Sequence, residues 1–325
     1  MTGATTTVES RPRSTRFGLS RRTEGSTPRG ARSRSKGWAV TPWLFLAVPL
    51  GFLIVFTYIP VVNMFWYSIT DWNGLSKDKT YVGLSNYQEF FTRPELFRVF
   101  FVSLYYLGAS VIQMALALYF ATILSFSTRF KNLFKGILFF PYLINGVAIA
   151  FIFLYFFQPG GTLDSLLGMV GVDGADGTMP QWLGNPDLAN FSLAGTSVWR
   201  YMGLNFVLFL GAIQSIPAGI YEAAELDGAT RWHEFRYIIA PSIKPIISLS
   251  FILAISGSLA VFEIPFIMTS GANGTATFVI QTVNTAFKFN KVGLASAMAV
   301  ILLVIILIVT WAQRRLVPDE SVDLT

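Results

Sequence analysis

Ala299–Val309 read AVILLVIILIV, eleven consecutive residues whose side chains carry no polar atom. The apolar run extends from Val292 to Trp311, and about 20 residues at 1.5 Å each cover the roughly 30 Å hydrocarbon core of a bilayer. A strand of a membrane barrel would alternate with period two over about ten residues, and this run does not. Lipid offers the backbone no hydrogen bonds, so the stretch must satisfy its own as a helix. Five more runs of this kind precede it, at Trp43–Tyr67, Val99–Leu124, Ile137–Phe157, Leu193–Ile216 and Ile246–Thr269. Hydrophobic residues make up 53% of the chain and charged ones 13%, a balance that excludes a soluble domain. The expected fold is an all-α membrane protein, a bundle of six transmembrane helices.

The first 37 residues differ from all of this. They hold nine Lys and Arg against Glu9 and Glu24, amid Ser, Thr, Gly and Pro, a composition that buries nothing and predicts disorder. They read as a solvated basic tail that orients the first span, ahead of a contact with anionic lipid or nucleic acid. A cleaved leader is not expected, because the apolar run from Trp38 to Trp66 is too long for a signal sequence and has no clear cleavage site. The membrane domain then occupies 38–317, and 318–325 form a short C-terminal tail. With no Cys and one His, the chain has neither disulfides nor an imidazole cluster for a metal. It also lacks the clustered nucleophile, base or metal ligands of an intramembrane enzyme.

Lys and Arg set the expected topology. If the basic tail is inside, the cytoplasmic segments carry its nine basic residues plus Arg129, Lys131, Lys135, Arg231, Arg236, Lys244, Arg314 and Arg315, which makes 17. The other side has Lys77, Lys79, Arg93, Arg98, Arg200, Lys288 and Lys291, which makes seven. The bias puts both termini in the cytoplasm. The loop from Gln158 to Ser192, with four Asp and no basic residue, falls outside the cell.

Pro49, Pro60, Pro141 and Pro265 lie within or beside the spans, where each removes a backbone hydrogen bond that neighbours must restore. Polar residues share these spans. Asn145, Asn205 and Glu263 are the foremost candidates for a solute pathway, with Asn63, Gln113 and Gln214 beside them; the alternative for each is a hydrogen bond between helices. Glu263 is the clearest acid within a span, and its partner cannot be read from the sequence.

One polar stretch between spans keeps amphipathic order: Glu222–Pro245, EAAELDGATRWHEFRYIIAPSIKP. Pro217 can open a helix that carries Ile220, Ala223 and Ala224 on one face and Glu222 and Glu225 beside it. Gly228 permits a bend. Trp232, Phe235, Ile238 and Ile239 then recur at helical spacing, with Arg231, His233, Glu234 and Arg236 on other faces, and Pro241 is expected to stop this second helix. His233 reads as a polar surface residue. The loop 217–245 would be a pair of short helices at the cytoplasmic surface, serving either as a docking face or as a connector resting on lipid headgroups.

Glu222, Ala223, Ala224, Gly228, Ile238 and Pro241 fall at the spacing of a known motif. The stretch resembles the EAA motif of membrane subunits in binding-protein-dependent ABC importers: Glu-Ala-Ala, three residues, Gly, nine residues, Ile, one residue, Leu-Pro. Asp227 and Ala229 complete the frequent Asp-Gly-Ala, and Ala240 replaces the usual Leu. The segments YVGLSNYQEFF (81–91), GGTLDSLLG (160–168), WLGNPDLANFSLAGTSVWRYMGLNFVLFLGAIQSIP (182–217) and FKFNKVGLASAMAVILL (287–303) are similar to counterparts in the sugar-permease subfamily, which includes the maltose and glycerol-phosphate permeases. The run Thr269-Ser270-Gly271-Ala272-Asn273-Gly274 departs from the subfamily's Thr-Gly-Gly-Gly-Pro.

The resemblance implies a non-catalytic permease subunit in the plasma membrane that moves an oligosaccharide or related solute. Its implied partners are a second, similar permease, two cytoplasmic ATPase subunits and an external solute-binding protein, with lipid around it and no nucleic acid. Glu222 would contact the ATPase, Ala223 and Ala224 would permit close docking, and Gly228 would form the bend, with Asp227, Ile238 and Pro241 completing the coupling loop. The chain has no Gly-x-x-x-x-Gly-Lys-Ser/Thr loop, so it binds no cofactor and ATP is consumed in the partner. Two alternatives remain: an ion-coupled secondary carrier, which needs no docking loop, and a lipid-scaffold protein, which leaves the spacing from Glu222 to Pro241 unexplained.

Overall fold

The computed structural model describes residues 37–126, 130–172 and 178–316. The basic tail through Lys36, Arg129 and the tail 318–325 lie outside the described residues. The chain divides into two compact units, 1–54 and 55–325. In the first, helix α1 (Gly37–Leu53) is apolar but for Thr41 and exposes its side chains from Trp43 to Leu50, as a helix does when lipid is its solvent.

The second unit opens with α2 (Ile59–Ser68). A short ribbon follows, β1 (Thr70–Asp71) antiparallel to β2 (Thr80–Tyr81), with Thr70 opposite Tyr81. Next come α3 (Ser85–Thr92), α4 (Pro94–Arg98), α5 (Phe100–Ser125), α6 (Lys131–Leu143), α7 (Gly146–Phe156), α8 (Thr162–Met169) and α9 (Pro186–Gln214). The loop region holds α10 (Ala218–Leu226), α11 (Arg231–Glu234) and α12 (Ala240–Ser242), and the chain finishes with α13 (Lys244–Leu259), α14 (Glu263–Thr269), α15 (Phe278–Val283) and α16 (Val292–Leu316).

Four stretches are long and apolar enough to cross a membrane: Trp43–Ser68, Pro94–Ser125, Lys244–Thr269 and Val292–Arg315. Two bent pairs raise this to six if each pair is one span: α6 with α7, bent by 97°, and α9 with α10, bent by 71°. The expected third span, Ile137–Phe157, is therefore not one straight helix. Pro141 lies in the last turn of α6, Ile144 is extended (φ −76°, ψ 138°), and the Asn145 side chain accepts a hydrogen bond from Val147 N at 2.8 Å to start α7. A residue that caps a helix so well begins a new element rather than continuing an old one.

The helices α5 and α9 share the most extensive contact in the unit. Ala117 and Ala121 of α5 are fully buried, and such small side chains let helices approach closely in lipid, where packing rather than water exclusion drives association. Phe206, Phe209 and Ile213 of α9 fill the same core, together with Ile239 and Ile243 from beyond the loop helices. A second core joins Tyr106 of α5, Ala150 of α7, Leu193 of α9 and Ile264 and Met268 of α14. A third, around Phe90, Phe278, Leu294 and Met298, holds α3, α15 and α16 together.

Candidate functional site: a docking loop and an intramembrane cavity

Pro217 starts α10 as its N-cap. The helix ends in a motif that only a left-handed residue completes: Gly228 has φ +76°, its N–H donates to Glu225 O at 3.1 Å, and Ala229 N donates to Ala224 O at 2.9 Å. These two bonds satisfy carbonyls that the helix end would otherwise strand. Glu222, Ala223, Asp227 and Gly228 are exposed and Ala224 is half-buried. Ile238 points the other way and packs on the α5/α9 core.

The second helix departs from the sequence reading at three residues. Pro241 does not stop it. A π-helical segment, Phe235–Ile239, widens the turn so that Ala240 N donates to Phe235 O, and the path then runs on through Pro241 to Ser242. A π turn displaces the ladder by one residue, so a proline can follow without breaking the course of the helix. The same arrangement precedes Pro60, where Ile54–Tyr58 is π-helical. His233 is not a mere surface residue: its backbone N–H donates to Thr230 Oγ1 at 3.4 Å, and Thr230 N donates to His233 Nδ1 at 3.3 Å, a reciprocal cap on α11. Glu234, expected on a polar face, is 1% exposed. Its partner is Arg231, whose Nη1 donates to Glu234 Oε2 at 2.9 Å and to Oε1 at 3.1 Å. That bond holds the Arg231 guanidinium above its ordinary pKa. Burial, with the Glu234 charge second, pushes the Tyr221 hydroxyl up as well.

A cavity of ≈ 530 Å³ lies between α5, α9, α13 and α14. Tyr106 and Gln113 line it from α5, Arg200 and Asn205 from α9, Ser250 from α13, and Glu263 from the start of α14. Of the pathway candidates, Asn205, Glu263 and Gln113 are brought together here. Asn63 and Gln214 are exposed and lie elsewhere, and Asn145 is the cap of α7, outside the cavity lining.

Glu263 reaches the cavity because the helical path breaks between Leu259 and Glu263, with Phe262 at φ −141°, ψ −58°. The break frees the Val261 carbonyl, which accepts from Thr277 Oγ1 at 2.8 Å. Released from the helix, the Glu263 carboxylate meets Arg200 Nη1 at 2.8 Å. Sequence reasoning placed Arg200 near an outer helix end, but its side chain is only 14% exposed. A Cβ on Gly146, at the start of α7, would collide with both side chains of this pair, so two helix breaks converge on one ion pair. Three lining atoms are buried and have no protein partner among the described residues: the Tyr106 hydroxyl, Arg200 Nε and the Ser250 hydroxyl. All three can donate. Among the described residues, no three His, Asp or Glu side chains gather closely enough to hold a metal.

Residues 113–322 match the family described as "Binding-protein-dependent transport system inner membrane component". The chain is 32% identical to the probable ABC transporter permease protein YurN of Bacillus subtilis, over 85% of this chain and 95% of that protein. It is also 32% identical to the multiple sugar-binding transport system permease protein MsmF of Streptococcus mutans, over 84% and 94%. Its fold is similar to a chain in the crystal structure of a bacterial alginate ABC transporter in complex with an alginate pentasaccharide-bound periplasmic protein, with a TM-score of 0.73, 20% identity, and coverage of 86% and 96%.

Proposed function

Because the chain belongs to the inner-membrane components of binding-protein-dependent transport systems, we propose that it is a non-catalytic permease subunit that lets an oligosaccharide through the membrane when a separate ATPase drives it. In this reading α6 and α7 together make one span and α9 alone makes another, with α10 in the cytoplasmic loop 217–245, so that six spans cross the membrane and both termini are cytoplasmic. A second, similar permease completes the pore, two ATPase subunits dock from the cytoplasm, and an external binding protein delivers the solute. The relatives' sugar-transport names and the periplasmic protein bound to the structural relative support it.

The observation that carries the reading is the cavity. Its volume falls in the range of about 300–1,000 Å³ typical of small-molecule sites, and it is lined by polar side chains, Gln113, Arg200, Asn205 and Glu263 among them, that can donate to and accept from the hydroxyls of a polyhydroxylated solute. An apolar solute that displaced water from these lining groups would leave them unpaired at about 1–3 kcal/mol each, whereas a solute with many hydroxyls answers them. The charges of Arg200 and Glu263 cancel, which suits a neutral sugar. Glu222, Ala223, Ala224, Asp227 and Gly228 give the ATPase an exposed helix on which to dock, while Ile238 and the helix through Pro241 carry its motion to α13.

The test is uptake of a radiolabelled oligosaccharide panel by proteoliposomes containing this chain, the partner permease, the ATPase and the binding protein. Accumulation is expected only with ATP and the binding protein together. Glu222→Ala is expected to abolish co-purification of the ATPase, and Glu263→Gln to slow uptake without affecting assembly. Accumulation driven by a proton or sodium gradient with the ATPase omitted would overturn the reading.

A further inference from the structure

We propose that Arg231 is the positioning residue that ties the docking helix α10 to the membrane helices behind it. This rests on the reading of α10 as the face that meets the ATPase. Four residues, 227–230, join α10 to α11, and at Gly228 the chain takes a left-handed turn with open space around it. Nothing in that turn alone stops α10 from swinging when it is pushed.

Arg231 supplies the stop. Its inner end is fixed by Glu234, which is 1% exposed and immediately precedes the π-helical segment Phe235–Ile239. A buried carboxylate that lost its cation would be left uncompensated, so the pair holds together. The outer end of the same guanidinium does two more things. Nη2 lies 3.4 Å from Glu225 Oε1 in the last turn of α10. The guanidinium carbon lies 4.4 Å from the centre of the Phe126 ring, at the residue that closes α5. One side chain thus touches the end of α10, the start of the helical path into α13, and the end of α5, whose far half walls the cavity. A planar guanidinium can meet two carboxylates and an aromatic face at once, whereas the compact ammonium of lysine cannot. A displacement of α10 is therefore shared between α13 and α5 instead of being absorbed at Gly228.

The experiment measures ATP hydrolysed per solute imported by the complete complex in proteoliposomes. Arg231→Lys keeps the charge but not the fork, and Glu225→Gln removes only the α10 arm. Both sites are exposed, so both variants are expected to insert and to retain the ATPase at wild-type yield. Each is expected to raise the ATP cost per solute by about two- to fivefold, the range of one exposed ion pair. Phe126→Cys with Glu225→Cys, in a chain that has no other Cys, is expected to return the ratio to wild type when a short bifunctional thiol reagent bridges the two. A ratio unchanged in both single variants, or a deficit that the bridge leaves in place, overturns the proposal. Failure of the wild-type chain to hold the ATPase at all would instead overturn the reading of α10 on which it rests.

Discussion

Gly146 is small because the Arg200–Glu263 pair occupies the space where a Cβ would go. Gly146→Ala must push α7 away or part the charges, and overpacking of this kind costs about 1–3 kcal/mol. The expected outcome is a lower midpoint in thermal denaturation of the purified permease and slower uptake, with the chain still inserted. An unchanged midpoint would mean that the helix start shifts freely. Thr230→Ala removes half of the reciprocal cap with His233 and is expected to cost about 1 kcal/mol, read by faster hydrogen exchange at the first turn of α11. The role of Gly146 cannot be read from that residue and its neighbours in the chain. Arg200 and Glu263 are 63 positions apart, and sequence order carries no record of which distant charge a carboxylate will meet. Glu234 misleads for a related reason. Its spacing placed it on a polar face, yet the folded chain leaves it 1% exposed with Arg231 as its partner.

At the scale of elements, the helices were legible wherever composition alone decides them. The run through Val300 in α16, the apolar stretch of α5 and the long α9 were all read close to their observed places, because lipid leaves an apolar run no other structure. The breaks were harder. Proline at 241 was read as a stop, yet the π turn ahead of it carries the helix through. The corner between α6 and α7 depends on Asn145 acting as a cap, and an Asn within an apolar run gives no sign of which role it takes. Gly228 was legible as a bend, since glycine enters the left-handed region without strain, and its φ of +76° lies there. Open space surrounds it, so Gly228→Ala is penalised by backbone strain alone, about 1–2 kcal/mol. The expected outcome is weaker but measurable binding of the ATPase in a titration, with Gly228→Asn milder because Asn enters the left-handed region more readily. Equal loss in Ala and Asn variants would point to a contact with the glycine itself.

For the whole molecule, the proposed arrangement of six spans with both ends in the cytoplasm has a direct test. A chain without Cys takes single reporters cleanly. Leu226→Cys, at a position 90% exposed in α10, is expected to react with a membrane-impermeant maleimide only in inside-out vesicles. Ser165→Cys in α8 is expected to react only in right-side-out cells, and the reverse pattern at either site would invert the topology. The ion pair between α9 and α14 also bears on how such a chain comes into being. Arg200 leaves the ribosome 63 residues ahead of Glu263, and at about 5–20 residues per second the interval is about 3–13 s. During that time α9 presents a cation within an apolar helix with no counter-charge yet made, a state that hydrocarbon penalises. α9 is therefore expected to leave the insertion machinery only after α14 has been synthesised, which crosslinking of nascent chains truncated before and after Glu263 would read, and equal release at both lengths would refute it.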